Sequence, residues 1–160
     1  MKSLIVYYSR TGNTARVASA LARELNADMF EIHCEQYRGG PLRYLLTGYD
    51  SVMGRLPEIE MPRYSAEDYD LLLIGTPVWT SHPSLPVRAF AAARPPLPAR
   101  IGLFLTYGGH SPAQKAIDEI SAMLGSAINA SLVLGSDQVK AGDFTDAIVD
   151  YVGELRNCEF

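Results

Sequence analysis

Leu4-Ile5-Val6-Tyr7-Tyr8-Ser9-Arg10-Thr11-Gly12-Asn13-Thr14 opens on five apolar or aromatic residues and then breaks into hydroxyl, amide and glycine positions. A strand ends there and a turn begins. Just beyond, Val17, Ala18, Leu21, Ala22 and Leu25 recur at helical spacing, while Arg16, Arg23 and Glu24 fall on the opposite side. The segment therefore reads as one strand–turn–helix unit.

The same alternation continues along the chain. Apolar runs at 28–34, 71–74, 101–105 and 130–134 add four strands, and helical patterns occupy 41–53, 85–93, 112–124 and 144–156. Strands alternating with helices predict an α/β fold, a doubly wound five-stranded parallel sheet with helices on both faces. The continuously apolar runs at 71–74 and 103–105 fit central strands covered on both sides. Pro112 suits the first turn of its helix and Asp143 suits a cap for the last one. The connection 36–70 is long and holds Gly39, Gly40, Gly48, Gly54, Pro57 and Pro62, so it is expected to be a helix plus an irregular arm. Pattern alone leaves two strand orders open, a dinucleotide-binding one and 2-1-3-4-5.

Composition narrows the function. The chain has 160 residues, 48% hydrophobic and 20% charged, as expected for one compact domain, 1–160. Fourteen Lys and Arg against eighteen Asp and Glu give a formal charge of −4, with no cationic excess for a nucleic acid backbone. No run approaches the roughly 18 apolar residues of a bilayer span, so no membrane insertion is expected. Cys34 and Cys158 form no C-x-x-C pair, which points to a reduced, cytoplasmic setting. His33 and His82 read as structural or exposed, and no spacing resembles a metal site.

In open parallel sheets ligands bind beyond the carboxyl ends of the strands, which directs attention to the segments after Tyr8, Ile74 and Leu105. Ser9-Arg10-Thr11-Gly12-Asn13-Thr14 leads into a helix, where free N–H groups, hydroxyls and the helix dipole can converge on a phosphate. Gly12 is the only glycine there, so neither G-x-x-x-x-G-K-[ST] nor G-x-G-x-x-G is present. The receiver-domain aspartate and the phosphatase cysteine are absent from the corresponding loops. Gly75-Thr76-Pro77-Val78-Trp79-Thr80-Ser81-His82-Pro83 carries the sole tryptophan, expected in a proline-bounded loop where it can stack on a planar ligand. Thr106-Tyr107-Gly108-Gly109-His110-Ser111-Pro112 supplies another aromatic ring and two glycines that let backbone approach it.

Together these segments describe a site for a phosphorylated, planar aromatic cofactor. On these residues the chain resembles the flavodoxin-like FMN proteins of the short type, over nearly its whole length. That resemblance implies the strand order 2-1-3-4-5 and a noncovalent FMN at the switch point. It assigns the phosphate to Ser9, Thr11, Gly12, Asn13 and Thr14, with Arg10 as a further contributor. Trp79 and Tyr107 would flank the ring, Pro77, Val78, Thr80, Gly108 and Gly109 would bring backbone to its edge, and Thr106 would line the floor. The third loop departs from the pattern: it lacks the acidic residues common in such carriers and offers His110, which would set positive charge near the reduced ring.

Thr80, Ser81 and His82 stand where many electron-carrying members have a glycine whose peptide flips toward the reduced flavin. A flip demanding positive φ is costly for threonine, so one-electron stabilisation is disfavoured. The resemblance implies electron transfer to a redox partner protein or small-molecule acceptor. The alternative is an FMN-dependent NAD(P)H:quinone oxidoreductase, with the arm from Tyr37 to Tyr64, bearing Arg38, Arg43, Arg55 and Arg63, walling a substrate pocket. A third reading, a cofactor-free interaction module, sits poorly with three retained loops.

Overall fold

In the computed structural model, residues 1–37, 40–109 and 112–158 are described. The parallel strands are β1 (Ser3–Tyr7), β2 (Asp28–Glu31), β3 (Leu71–Trp79), β5 (Arg100–Tyr107) and β6 (Ala130–Gly135), in the order β2-β1-β3-β5-β6. This is the expected order 2-1-3-4-5. A two-residue strand, β4 (His82–Pro83), pairs antiparallel with the end of β3 and was not foreseen. Parallel pairing joins Tyr7 to Gly75 and Pro77 to Thr106, so β1, β3 and β5 end along one rim.

Period-two alternation decides which side chain meets which layer. Leu72, Ile74, Ile101, Leu103 and Leu105 face one layer, formed by α3 (Leu85–Ala92) and α4 (Gln114–Leu124). Leu71, Leu73, Phe104, Leu132 and Leu134 face the other, formed by α1 (Asn13–Leu25) and α6 (Thr145–Asn157). Both central strands are therefore covered on two sides, as their unbroken apolar runs require. Tyr151 of α6 is buried and donates its phenol proton to the Leu103 carbonyl at 2.7 Å, and burial pushes that phenol well above its ordinary range.

Three local expectations are corrected. Trp79 is the last residue of β3, because β5 pairs β3 as far as Pro77 and β4 pairs Val78 and Trp79. Pro112 precedes α4, whose first carbonyl acceptor is that of Ala113, bonded to the Ile117 N–H at 3.1 Å. Asp143 does not cap α6: Phe144 occupies that position, while the Asp143 N–H donates to Gln138 and closes the short helix α5 (Ser136–Ala141). α5 itself gave no pattern, since one turn and a half is too short to show a period.

The long connection holds α2 (Pro41–Met53), at the expected bounds, followed by irregular chain. Arg43 donates to the carbonyls of Glu35 and Gln36, and Arg55 lies over the Tyr49 ring, so these arm arginines are engaged locally. Arg38 lies outside the described residues. No described helix is long and apolar enough to cross a membrane.

Candidate cofactor site

The first loop is organised around Ser9. Its hydroxyl oxygen accepts the N–H of Gly12 at 3.2 Å and of Ala15 at 3.1 Å, drawing the chain into a cup at the start of α1. Gly12 makes the turn at φ 94°, a left-handed value open to glycine and strained for other residues. With Ala15 satisfied by Ser9, the N–H groups of Asn13 and Thr14 begin the helix with no carbonyl behind them. No acidic residue stands in that first turn. The donor set is thus backbone N–H, hydroxyl and helix dipole, chemistry suited to a phosphate.

Thr14 ties this cup to the third loop. Its hydroxyl lies 2.7 Å from that of Thr106, both buried between α1 and β5. One hydroxyl donates and the other keeps its proton for a further acceptor. Thr14→Val is expected to cost about 1 to 3 kcal/mol, because the Thr106 hydroxyl is then buried without its partner; the double change to valine should cost less than the two single ones summed. Urea unfolding of the four proteins measures both quantities.

The aromatic residues lean apart. Trp79 is half-buried and meets Tyr8 edge-on, with centroids 5.7 Å apart, and Tyr37 at 5.8 Å, on the β1–β2 side of the rim. Tyr107 goes the other way: a Cβ built on Gly135 would lie 3.7 Å from its phenol oxygen, at the end of β6. The two rings therefore flank the ends of β3 and β5 from opposite sides.

Two cavities meet at the first loop, and Thr11 lines both. One, of about 590 Å³, joins Thr11 and Asn13 to Tyr107, Gly108 and Gly109, with Lys140 beyond them. The other, of about 740 Å³, lies over β1 and β2 between Arg10, Cys34 and Tyr37. Burial pushes the Cys34 thiol up, against a smaller opposing pull from the Gln36 and Tyr37 N–H groups, so it stays protonated at neutral pH.

Three loops far apart in sequence thus meet at one rim. Pro77 sits within β3 and its carbonyl accepts the Ser84 N–H, Val78 is buried, and Gly108 and Gly109 are exposed past the end of β5. His110 lies outside the described residues. Thr80 and Ser81 hold φ values of 49° and 69°, so the positive φ thought costly for threonine is already built into the turn. The ring contacts of Tyr8 and Tyr37 with Trp79 are not part of the sequence reading. Tyr8 read as the last residue of a strand, and the contact of Tyr37 with Trp79 spans more than forty residues, beyond any local pattern.

The sequence model of the flavodoxin family matches residues 2–127, most of the chain. The chain belongs to the flavodoxin family. Among solved structures, this flavodoxin-family protein is similar in fold to a Bacteroides uniformis protein, at TM-score 0.77 and 20% identity, covering 95% of this chain and 97% of that one. A Bacteroides eggerthii protein gives TM-score 0.71 and 21% identity over 92% and 98% of the two chains. A Lactobacillus acidophilus flavoprotein in complex with FMN gives TM-score 0.63 and 20% identity over 88% and 97%. No curated protein matches.

Proposed function

We propose that this flavodoxin-family protein binds FMN noncovalently and acts as a redox protein, passing electrons to a partner protein or a small-molecule acceptor. The observation that carries the reading is the junction of the cup at Gly12 with the end of β5 through Thr14 and Thr106, under two aromatic rings that part to either side. The similar Lactobacillus acidophilus flavoprotein holds FMN. When bound, the cofactor supplies the redox chemistry; the protein supplies binding, orientation and electrostatics.

In this reading Ser9, Thr11, Gly12, Asn13 and Thr14 hold the phosphate, with Arg10 at its edge. Trp79 and Tyr107 flank the ring, and the backbone of Pro77, Val78, Thr80, Gly108 and Gly109 meets its rim. Thr106 forms the floor, and the same reading assigns His110 the supply of positive charge to the reduced ring. None of these groups has to move a proton for the protein to carry electrons.

Purified protein is expected to be yellow, or to become yellow on addition of FMN. Colourless protein that takes up no FMN would leave only the cofactor-free interaction module. Trp79→Ala should weaken FMN binding by about 1 to 3 kcal/mol, from lost stacking and lost burial. Fluorescence titration measures that, and an unchanged dissociation constant removes Trp79 from the site.

A second reading, an FMN-dependent NAD(P)H oxidoreductase, draws support from the cavity of about 740 Å³ bordered by Arg10 and Tyr37. Anaerobic mixing with NADH or NADPH separates the two. Rapid bleaching by a nicotinamide selects the enzyme; reduction by dithionite alone selects the carrier.

A further inference from the structure

The turn between β3 and β4 holds a conformation that its own backbone does little to maintain. Two residues, Thr80 and Ser81, join the Trp79↔His82 pair, and both have positive φ, the signature of a tight primed hairpin usually built from Asn and Gly. For a β-branched residue that conformation is a genuine outlier. Such strain persists only where surrounding structure over-determines it. The ladder here is minimal: besides Trp79↔His82 there is only Val78↔Pro83, and proline has no N–H to give.

A charged cluster lies beside the turn. His82 Nδ1 lies 2.7 Å from Glu119 Oε2 of α4, and Arg88 Nε of α3 lies 2.8 Å from Glu119 Oε1. One carboxylate thus uses both oxygens to join three elements. The cluster is shielded: side-chain exposure is 28% for His82, 20% for Glu119 and 15% for Arg88. Arg88 Nε is close to its partner but out of line with it, and Nη1 is buried with no aligned acceptor among the described residues. Glu119 is therefore the counter-charge for a largely buried guanidinium as well as the anchor of His82. At the other end Thr76 accepts the Ser84 N–H at 2.9 Å and donates to the Ser84 hydroxyl or the Pro77 carbonyl, fixing where β4 leaves for α3.

We propose that Glu119 is a positioning residue: through His82, with Arg88 as support, it clamps the hairpin so that Thr80 and Ser81 stay left-handed and present their peptide groups to the flavin rim in one fixed orientation. The orientation towards flavin rests on the FMN reading above; the clamp does not. A turn held in this way cannot swing its central peptide as the ring changes oxidation state. Flipping that peptide would carry Thr80 into a region of φ and ψ open essentially to glycine alone.

The test uses the full chain with three changes. Glu119→Ala alone strands the Arg88 charge and can unfold the protein, so the informative variant is Arg88→Met with Glu119→Leu, which removes clamp and orphan charge together. Glu119→Gln, which retains an acceptor for His82, is the conservative control. In protein without FMN, amide exchange at His82, paired with Trp79, should quicken at least tenfold in the double variant. The strong intraresidue amide-to-Hα contacts of Thr80 and Ser81 should fade, while exchange in α6 stays as it was; the Gln variant should lie closer to the parent. In FMN-loaded protein the gap between the first and second one-electron potentials should shift in the double variant and stay near the parent value with Gln. Unchanged exchange and contacts overturn the clamp. Altered exchange with unchanged potentials overturns its action on the ring. A parent protein that never takes up FMN refutes the FMN reading and leaves the exchange result to decide the clamp.

Discussion

Asn13→Asp is expected to act with opposite sign on folding and on cofactor binding. Asn13 is the first residue of α1, buried, with no acidic residue in that turn. A carboxylate there meets the positive end of the helix dipole, so the protein without cofactor should gain about 0.3 to 1 kcal/mol. The same carboxylate opposes a phosphate. Two unit charges about 5 Å apart at an effective dielectric near 20 repel by about 3 kcal/mol, a loss of roughly a hundredfold in affinity. Thermal unfolding without FMN and titration with FMN give the two signs directly. If FMN affinity survives while the fold is stabilised, the phosphate is held elsewhere.

Gly75→Ala should produce the largest loss of stability among small changes at the rim. A Cβ at Gly75 would stand 2.1, 2.3 and 2.7 Å from three carbons of the Phe104 ring, directly opposite in β5. That ring is rigid and fully buried, so neither partner can yield without displacing the strand. Overpacking of this kind costs about 3 kcal/mol or more. Adding Phe104→Leu should restore part of the loss, with a coupling of at least about 1 kcal/mol by denaturant unfolding of the four proteins. Purely additive costs would show that the two sites do not meet. The Gly75 carbonyl also accepts the Tyr8 N–H at 3.1 Å, where the first loop departs, so FMN affinity should fall along with stability.

Local chemistry made much of this legible in advance. The apolar runs ending at Tyr8, Ile74 and Leu105 placed three loops on one edge, and the small polar residues around Gly12 could serve little else as economically as an anion. What stayed hidden depends on through-space relations. Trp79 lies in a strand rather than a loop because β4 reaches back to pair with it, a contact that proline and a two-residue turn disguise in the sequence. Tyr37 meets Trp79 only after the sheet has formed. Glu119 reads as an ordinary polar residue on an amphipathic helix, and only the packing of α3 and α4 brings it to His82 and Arg88. Thr80 illustrates the limit of propensity: its side chain argues against positive φ, and tertiary restraint prevails.

The last parallel strand has a consequence for where this protein can be cut. The family signature ends at 127, whereas β6 begins at Ala130 and pairs with β5 from Gly102 to Tyr107. A fragment stopping at the signature's border would bare a flank of unsatisfied amides and carbonyls on β5 and strip cover from Phe104, a template onto which foreign strands readily add. The span that marks ancestry thus stops short of the strand that closes this edge of the sheet.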